Sequence, residues 1–453
     1  MMFSAAELVT ITGGRWAGQP PASGPLCIGH DTRESLDGGL YVAIRGDRLD
    51  GHDFIEQAVE AGASMAMVDR EREASIPCLV VPDTVAALGQ LASAWRDRLQ
   101  TTTVIAITGT AGKTSTKDLL AHVLGSVHQG TASPASWNNA IGGPMSLLRA
   151  RPEHDHVILE LGTSSPGEIP ALAEITRPDI AIITLVGHGH LEGLGSLDGV
   201  RAEKCSLLKR IAPGGVAIVH DDGHEVDVPE GVRLLRHGDE PGSMPRLLSR
   251  ADGRIHLADG ADFALPLPGQ HHAINALAVI ATARIIGLSD AQVEAALASA
   301  TPSDSRGTDT TIAGVRFIND AYNANPESVA AALSTFPEIT TAGRRIIVLG
   351  DMLELGGDSA RQHAGLAAHV QASHARAPVD EILLVGEAIG ALNEALDPFP
   401  ARAHWALADE AAMTQVAQRL RSGDLVLLKA SRGIQLERIM SYVRERESEV
   451  AAT

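Results

Sequence analysis

An apolar strand that turns through glycines into a helix is the feature that most constrains this chain. Residues 104–120 read VIAITGTAGKTSTKDLL, passing through Gly109 and Gly112 into a helix predicted to begin at Lys113. Such a turn is typical of a parallel α/β sheet, and it presents backbone N–H groups to an anion. The full phosphate-loop pattern requires a glycine where Ile107 stands, so this turn is an abbreviated version of it.

Apolar strands alternate with helical patterns along the chain, which predicts an α/β fold in three domains. At 453 residues the chain exceeds the roughly 250–300 at which one core stops growing. We expect a small N-terminal α/β domain over 1–99, a central phosphate-loop domain with a parallel sheet over 100–305, and a Rossmann-like domain over 306–453. The proline- and charge-rich stretch 227–246 is predicted to be a surface excursion.

Composition excludes several classes of protein. The formal net charge of −19 argues against a nucleic-acid or anionic-membrane partner, because both require a surplus of Lys and Arg. The 3 cysteines form no CxxC pair, so neither a disulfide framework nor a structural zinc site is indicated. The sequence contains neither a membrane-spanning apolar run nor a secretory signal pattern, so we expect a cytoplasmic protein, acting as a monomer.

The glycine turn carries the clearest chemistry in the sequence. Backbone N–H groups of residues 109–115 would hold phosphate, Lys113 would reach the terminal phosphates, and the Thr114 hydroxyl would bind Mg²⁺. The alternative is a plain strand-to-helix turn with a solvated lysine. The strand before the turn and the helix after it favour nucleotide binding.

Two side chains follow successive strands of the predicted central sheet. Glu160 ends the strand HVILE, and His190 follows the next strand with His188 and Glu192 beside it. Ligands bind at the carboxyl ends of parallel strands, so together these residues favour a metal site beside the glycine turn. Taken singly, Glu160 is equally well explained as a helix cap, and His190 as a loop histidine bonded to the backbone. Lys204, on a predicted helix, is by residue type alone a solvated charge.

A polar cluster precedes a helix in the predicted third domain. Asp320, Asn323 and Asn325 lie within NDAYNANPES, and Pro326 and Glu327 occupy the first helical turn. Asn, Asp and Pro favour turns, so a structural Asx-capped turn explains the segment as well as ligand binding does. The residues alone leave both interpretations open.

Segments spread over nearly the whole chain match the pattern of one enzyme family. They are DTRESLDGGLYVAIRGDRLDGHDF, GTAGKT, WNNAIGGP, LELGTSSPGEI, HLEGLGSLDGV, NDAYNANPES, VLGDMLELG and KASRGIQLE. In these segments the chain resembles the Mur ligases, the ATP-dependent amide-forming enzymes of peptidoglycan precursor synthesis. The short GTAGKT turn is the family's own phosphate loop, and DAYNANP with GDMLELG resembles the member that adds D-alanyl-D-alanine.

The resemblance implies a reaction and its partners. ATP, with Mg²⁺, would phosphorylate the terminal carboxylate of UDP-N-acetylmuramoyl-tripeptide, and the amine of D-alanyl-D-alanine would displace phosphate from the acyl phosphate. The product would serve cell-wall synthesis, and through it cell shape and division. The resemblance also implies that the first domain binds the UDP-sugar, the second binds ATP, and the third swings in to close the site.

The resemblance also assigns roles to individual residues. Catalysis would involve Lys113, His190 and Lys204, the last as a carbamate formed with CO₂. The metal ligands would be Thr114, Glu160, His190 and Lys204. ATP would contact Gly109, Thr110, Ala111, Gly112, Lys113, Thr114, Ser115, Asn138, Asn139, Asn275, Arg306 and Asp320. The sugar nucleotide and the peptides would contact Thr32, Arg33, Asn323, Asn325 and Arg432.

The chain departs from the family pattern at a few positions. Ala111 stands where the phosphate turn usually has Asn, Ser164 and Ser165 replace an amide and an imidazole, and His272 replaces an adenine-side asparagine. Other amide ligases of this fold, such as the third-residue-adding enzyme or folylpolyglutamate synthetase, are alternatives that DAYNANP disfavours. A GTP-binding regulatory protein is disfavoured because no Asn-Lys-x-Asp motif is evident.

Overall fold

The computed structural model describes residues 1–302, 307–399 and 401–452, and the strands within these ranges form four sheets. The five-stranded sheet and the two six-stranded sheets define, in chain order, an N-terminal, a central and a C-terminal unit. Helices pack on each of these sheets. The predicted α/β class with three successive units is confirmed. No helix in the described part of the chain is both long and apolar enough to cross a membrane.

The N-terminal unit has a five-stranded sheet in the order β1-β5-β4-β3-β2, in which β1 is antiparallel to β5 and the other neighbours are parallel. Its elements are α1 (Ala5–Thr12), β1 (Arg15–Ala17), β2 (Ile28–Gly29), β3 (Leu40–Val42), α2 (Ile55–Glu60), β4 (Met65–Val68), β5 (Cys78–Val80) and α3 (Thr84–Arg96). Asp83 caps α3, because its carboxylate accepts from the N–H groups of Val85 and Ala86. The indole of Trp95 on α3 donates to the carbonyl of Ala150 in the central unit, and one apolar core runs through both units.

The central unit has a fully parallel six-stranded sheet in the order β11-β10-β9-β6-β8-β7. Its elements are β6 (Thr103–Thr108), α4 (Lys113–Gly125), β7 (Gly130–Ala132), α5 (Gly142–Leu148), β8 (His156–Glu160), α6 (Glu168–Thr176), β9 (Ile180–Ile183), α7 (Leu191–Leu194), α8 (Leu197–Cys205), β10 (Val216–His220) and β11 (Arg233–His237). Strand β6 lies between β8 and β9, so the glycine turn after β6 lies beside the ends of both neighbours.

Two features of the central unit differ from the sequence-based expectation. The stretch 227–246 is not wholly a surface excursion, since it supplies β11, which pairs in parallel with β10 at the sheet edge. A small antiparallel sheet of β12 (Leu247–Ala251), β13 (Arg254–Leu257) and β14 (Asp262–Ala264) follows, before α9 (Gln270–Ile286) and α10 (Asp290–Leu297). Charged residues mask the strand pattern of β11 because an edge strand tolerates polar side chains. Helix α9 ends at Gly287, which has a left-handed backbone.

The C-terminal unit has a six-stranded sheet in the order β15-β16-β20-β17-β18-β19, parallel except for the β15–β16 pair. Its elements are β15 (Thr308–Ile312), β16 (Val315–Asn319), α11 (Pro326–Thr335), β17 (Arg345–Gly350), α12 (Ser359–Arg376), β18 (Glu381–Val385), α13 (Gly390–Ala395), β19 (Arg402–Trp405), α14 (Glu410–Arg419), β20 (Leu425–Lys429) and α15 (Arg438–Ala452). The sequence analysis missed β15, whose exposed polar residues lack an apolar run.

The central and C-terminal units pack directly against each other. Leu191 and Leu194 on α7 and Val200 on α8 are buried in the same apolar cluster as Met352 and Leu355 of the C-terminal unit. The carboxyl-end loops of the central sheet therefore face the loops that precede α11 and follow β17.

Candidate active site

Two cavities lie between the central and C-terminal units, at the carboxyl edge of the central sheet. The larger, of ≈ 550 Å³, has a wall that includes Ala111, Gly112, Ser115, His271, His272, Asn275, Asp320 and Lys429. The smaller, of ≈ 290 Å³, has a wall that includes Thr110, Lys113, Thr114, Asn138, Asn139, Glu160, His190, Tyr322, Asn323 and Asn325. The two cavities share the turn residues Ala111 and Gly112, so most of the predicted site residues meet around the glycine turn.

The turn requires glycine at both positions, because a Cβ atom would clash with neighbouring side chains and because the backbone has positive φ. A Cβ on Gly109 would lie 1.9 Å from Oγ1 of Thr184. Gly112 has φ +89, and a Cβ there would lie 2.6 Å from Oδ1 of Asn275 on α9. Lys113 begins α4 and its Nζ donates to the carbonyls of Gly109 and Thr110 at 2.8 and 3.3 Å. The turn therefore keeps its backbone close to both cavities.

We expect Gly112→Ala to weaken ADP binding about tenfold or more. Alanine in the left-handed region costs about 1–2 kcal/mol, and its methyl group would displace the Asn275 amide that lines the larger cavity. Isothermal titration calorimetry with ADP measures the loss. Gly125→Ala is the matched control, because a Cβ at Gly125 meets nothing within 4 Å. Equal ADP affinity in both variants would contradict this role of the turn.

Glu160 at the end of β8 connects the turn to a neighbouring loop. The Thr114 hydroxyl donates to Glu160 Oε2 at 2.8 Å, and the Asn138 amide donates to Oε1, also at 2.8 Å. Glu160 is only 1% exposed, so burial and these two hydrogen bonds hold its carboxylate in one position. Asn139 instead caps the start of α5, where its Oδ1 accepts from the N–H groups of Ile141 and Gly142.

Lys204 on α8 is fully buried, contrary to the solvated charge that its residue type suggests. Its Nζ has no hydrogen-bond partner among the described residues. Burial, and next the nearby Lys113 ammonium, lower the pKa of Lys204 well below its usual value, against the opposing effect of Glu203. Lys204 does not line either cavity, but its amine is held in an environment that favours the neutral form.

The loop after β9 carries two histidines that contact the C-terminal unit. His190 Nδ1 lies 2.5 Å from Glu354 Oε2, and this bond lowers the pKa of the Glu354 carboxyl. His188 donates from its backbone N–H and pairs through Nδ1 with Glu327 Oε1, at 2.7 and 2.8 Å. His190 therefore lines the smaller cavity while its other side is bonded to the opposite unit.

The polar cluster before α11 is both an Asx-capped turn and a wall of the site. Asn325 caps α11 through the N–H of Ser328, and its Nδ2 donates to the carbonyl of Thr110 at 3.3 Å. Asp320 forms an ion pair with Lys429 at 2.7 Å, and Lys429 also donates to the carbonyl of Asn323. The cap thus joins the C-terminal unit to the glycine turn. The Asx-capped turn is confirmed, and ligand binding by this segment stays a prediction.

Two adjacent histidines at the start of α9 line the larger cavity. The rings of His271 and His272 lie 4.2 Å apart. Burial, and next the Lys429 ammonium, lower the pKa of His271 to about 4, and burial lowers that of His272 well below its usual value. With Asn275, they form a neutral polar wall beside an apolar cavity.

Three other predicted residues, Thr32, Arg33 and Arg432, do not line either of the two cavities. Thr32 and Arg33 follow His30, whose ring packs on Trp137 of the central unit at 5.4 Å, and Arg33 is bonded to Asp31. Arg432 lies 5.5 Å above the ring of Tyr322, at the margin of the smaller cavity. Arg306 lies outside the described residues. Among the described residues, Thr32, Arg33 and Arg432 are therefore not shown next to the glycine turn.

The sequence analysis missed several residues that the fold brings to the site. Lys429 lines both cavities, and it could have been found because it ends β20, as Glu160 ends β8. Glu203 accepts from the N–H groups of Gly167 and Ile169 and so anchors the start of α6. Glu327 and Glu354 had no local signal, since their histidine partners are 139 and 164 residues away in the chain.

The predicted metal ligands combine different chemical groups. Within residues 1–302, 307–399 and 401–452, no group of three or more His, Cys, Asp or Glu side chains is placed to hold a metal ion. The predicted set contains one carboxylate and one hydroxyl in direct contact, an imidazole in the same cavity, and a buried amine. The carboxylate and hydroxyl oxygens of this set suit a cation that also takes phosphate oxygens as ligands.

Comparisons with known proteins cover all three units. Family models match at residues 27–96 ("Mur ligase family, catalytic domain"), 107–283 ("Mur ligase middle domain") and 308–432 ("Mur ligase, glutamate ligase domain"). The UDP-N-acetylmuramoyl-tripeptide--D-alanyl-D-alanine ligase of Escherichia coli (strain K12) is 34% identical over 81% of this chain and 82% of its own. The Bacillus subtilis (strain 168) enzyme of that name is 32% identical over 92% and 93%.

Solved structures of Mur ligases also resemble this chain over nearly its whole length. MurF from Acinetobacter baumannii superposes with a TM-score of 0.84 at 30% identity, covering 98% of this chain and 99% of that one. MurF from Thermotoga maritima, solved in complex with ADP, has a TM-score of 0.77 at 26% identity, covering 93% and 98%. From its sequence, its fold and the arrangement of its phosphate loop, the chain belongs to the Mur ligase family of ATP-dependent ligases.

Proposed function

We propose that this chain joins D-alanyl-D-alanine to UDP-N-acetylmuramoyl-tripeptide at the expense of ATP. The observation that carries the proposal is the smaller cavity, where the phosphate turn, a buried carboxylate and polar residues of the C-terminal unit face one space. The curated relatives named for this reaction supply the two substrates. Other amide ligases of this fold are disfavoured, since their structures resemble the chain at only 15 and 20% identity.

The chemistry follows from the weakness of a carboxylate as an electrophile. A carboxylate oxygen of the tripeptide attacks the γ-phosphorus of ATP, the bond from that phosphorus to the β-phosphate oxygen breaks, and ADP leaves. The amine of the dipeptide then attacks the carbonyl carbon of the acyl phosphate. The carbon–oxygen bond to phosphate breaks, the nitrogen loses a proton, and an amide and inorganic phosphate result. Both steps depend mainly on positioning and neutralisation of charge.

The glycine turn performs the positioning of ATP in this proposal. Backbone N–H groups at the start of α4 bind phosphate oxygens, and Lys113 neutralises the charge of the transferred phosphoryl group. Ala111 offers no side-chain contact to phosphate, but its backbone remains in both cavity walls. The adenine lies in the larger cavity beside His271, His272 and Asn275, and the Asp320–Lys429 pair adjoins the ribose and phosphates.

The residues present fit Mg²⁺. Thr114 and Glu160, already in contact at 2.8 Å, offer the hydroxyl and carboxylate oxygens that this cation prefers. His190 and Lys204 would hold a second ion. The neutral Lys204 amine can attack CO₂ and release a proton, which converts the buried nitrogen into an anionic carbamate. When bound, Mg²⁺ supplies charge neutralisation for the phosphate oxygens of ATP.

The substrates occupy the remaining surfaces of the three units. Thr32 and Arg33 contact the UDP moiety, and the packing of His30 on Trp137 places them next to the loop that carries Asn138. Asn323, Asn325 and Arg432 position the peptides from the C-terminal unit. We further propose that the chain acts as a monomer in the cytoplasm, where ATP and the nucleotide substrate are available.

Phosphate release from ATP tests the proposed function. We expect release to require UDP-N-acetylmuramoyl-tripeptide and to become sustained turnover when D-alanyl-D-alanine is added, with the pentapeptide product identified by mass spectrometry. Single amino acids and glutamate with a folate acceptor serve as controls for the related ligases. Sustained turnover with one of those pairs, and none with the dipeptide, would overturn the proposal.

A further inference from the structure

The imidazole of His190, in the central unit, is hydrogen-bonded to a carboxylate of the C-terminal unit. Its Nδ1 lies 2.5 Å from Oε2 of Glu354, in the loop after β17. An ionised carboxylate can only accept a hydrogen bond, so Nδ1 carries a ring hydrogen, and in the neutral ring Nε2 then keeps its lone pair. Since His190 lines the smaller cavity, Nε2 is the nitrogen left to act there.

The backbone fixes Glu354 in this position. Its carbonyl accepts from the N–H of Glu192, at 3.1 Å, so the two loops are also joined through the main chain. His190 and Glu354 both have left-handed backbones, with φ of 58 and 62. Non-glycine residues keep such conformations where the surroundings determine them, which is common at functional sites.

The contact adds orientation more than stability. The side chain of Glu354 is 53% exposed and that of His190 25%, and exposed ion pairs contribute little to stability. The units are held together instead by the apolar contacts of Leu191 and Leu194 with the C-terminal core. A second pair, His188 with Glu327, joins the same loop to the C-terminal unit two residues earlier. Stability and packing therefore do not account for the contact of Glu354 with His190.

We propose that Glu354 is the positioning residue for His190, holding the ring hydrogen on Nδ1 and presenting Nε2 to the smaller cavity. The inference rests on the proposed function, in which His190 acts at the reaction centre. Because Glu354 belongs to the C-terminal unit, His190 is oriented when the two units are in contact. A carboxylate behind a ligand histidine fixes the ring and raises its basicity, and its loss costs about 10–100-fold in activity or metal affinity.

Variants at Glu354 test the proposal against a matched control. Glu354→Ala removes the acceptor, and Glu354→Gln keeps an acceptor oxygen without the charge. His188→Ala removes the side chain of the other inter-unit pair and leaves His190 untouched. Full-length proteins labelled with ¹⁵N-histidine are compared by NMR, with His190 assigned from the His190→Gln spectrum, and kcat and the KM for ATP are measured alongside.

The expected results distinguish orientation of the His190 ring from a general role in holding the central and C-terminal units together. In wild type, the His190 spectrum shows the hydrogen on Nδ1. Glu354→Ala shifts it towards Nε2 and lowers kcat about 10–100-fold, with the KM for ATP within about twofold, and Glu354→Gln lies between. His188→Ala keeps the wild-type His190 spectrum. An unchanged His190 spectrum in Glu354→Ala, or equal losses of kcat in Glu354→Ala and His188→Ala, would overturn the inference. The NMR spectra test whether Glu354 orients His190 even if the wild-type protein proves to join an amine other than D-alanyl-D-alanine.

Discussion

Lys113→Ala abolishes ligation, with an expected loss of at least about 10³-fold in kcat, while the fold is retained. The lysine begins α4 and its Nζ lies over the carbonyls of the turn, so its charge is placed where the transferred phosphoryl group accumulates negative charge. Alanine is a good helix former at this position, so folding is not at risk. Steady-state phosphate release and far-ultraviolet circular dichroism measure the two effects.

Lys209→Ala is the control for Lys113. It removes an equal charge from an exposed position of the same unit. We expect this variant to keep wild-type turnover, whereas the Lys113 variant should bind ADP but not transfer phosphate. Near-normal turnover of Lys113→Ala would remove this lysine from the mechanism.

Lys204→Ala is expected to lose about 10²-fold or more in kcat and to regain part of it when short-chain carboxylates are added. The buried amine has no partner among the described residues, and burial favours its neutral form. A carbamate on this amine would supply an anion, and acetate or formate would replace that anion in the space left by alanine. Turnover measured against carboxylate concentration checks the prediction.

Lys204→Met removes the amine of Lys204 but keeps the buried space filled, so it distinguishes a chemical role of this side chain from a packing role. Methionine fills the space without an amine, and removal of a buried unpaired polar group does not destabilise a fold. We therefore expect Lys204→Met to melt at or above the wild-type temperature, to be inactive, and to resist rescue because the space is filled. Turnover at the wild-type level in either Lys204 variant would exclude this lysine from the site.

The strands around the glycine turn were predictable because their signals are local. Residues 103–108, 156–160 and 180–183 are apolar runs, and the structure places them side by side as β6, β8 and β9. Parallel pairing then brings Glu160 next to Thr114 without further information. By contrast, β11 and β15 carry exposed charged and polar residues at sheet edges, where the apolar pattern is weak.

Lys204 shows the limit of arguing from residue type. On a helix, a lysine is most often solvated, and the sequence contains no local mark that α8 turns this side chain inward. The structure buries it completely, on a helix that packs against α6 and α7. The carbamate assigned by family resemblance acquires a physical basis from this burial.

The glycines, the strand ends and the cap at Asn325 follow from interactions between near neighbours in the chain, so the linear order of residues specified the phosphate turn and the α/β architecture. The bonds of His188 to Glu327 and of His190 to Glu354 join residues 139 and 164 positions apart. Long-range contacts of this kind depend on how two separately folded units pack, and no local propensity encodes that packing. Only the tertiary structure therefore revealed which carboxylates hold the histidine loop and which lysine is buried beneath the site.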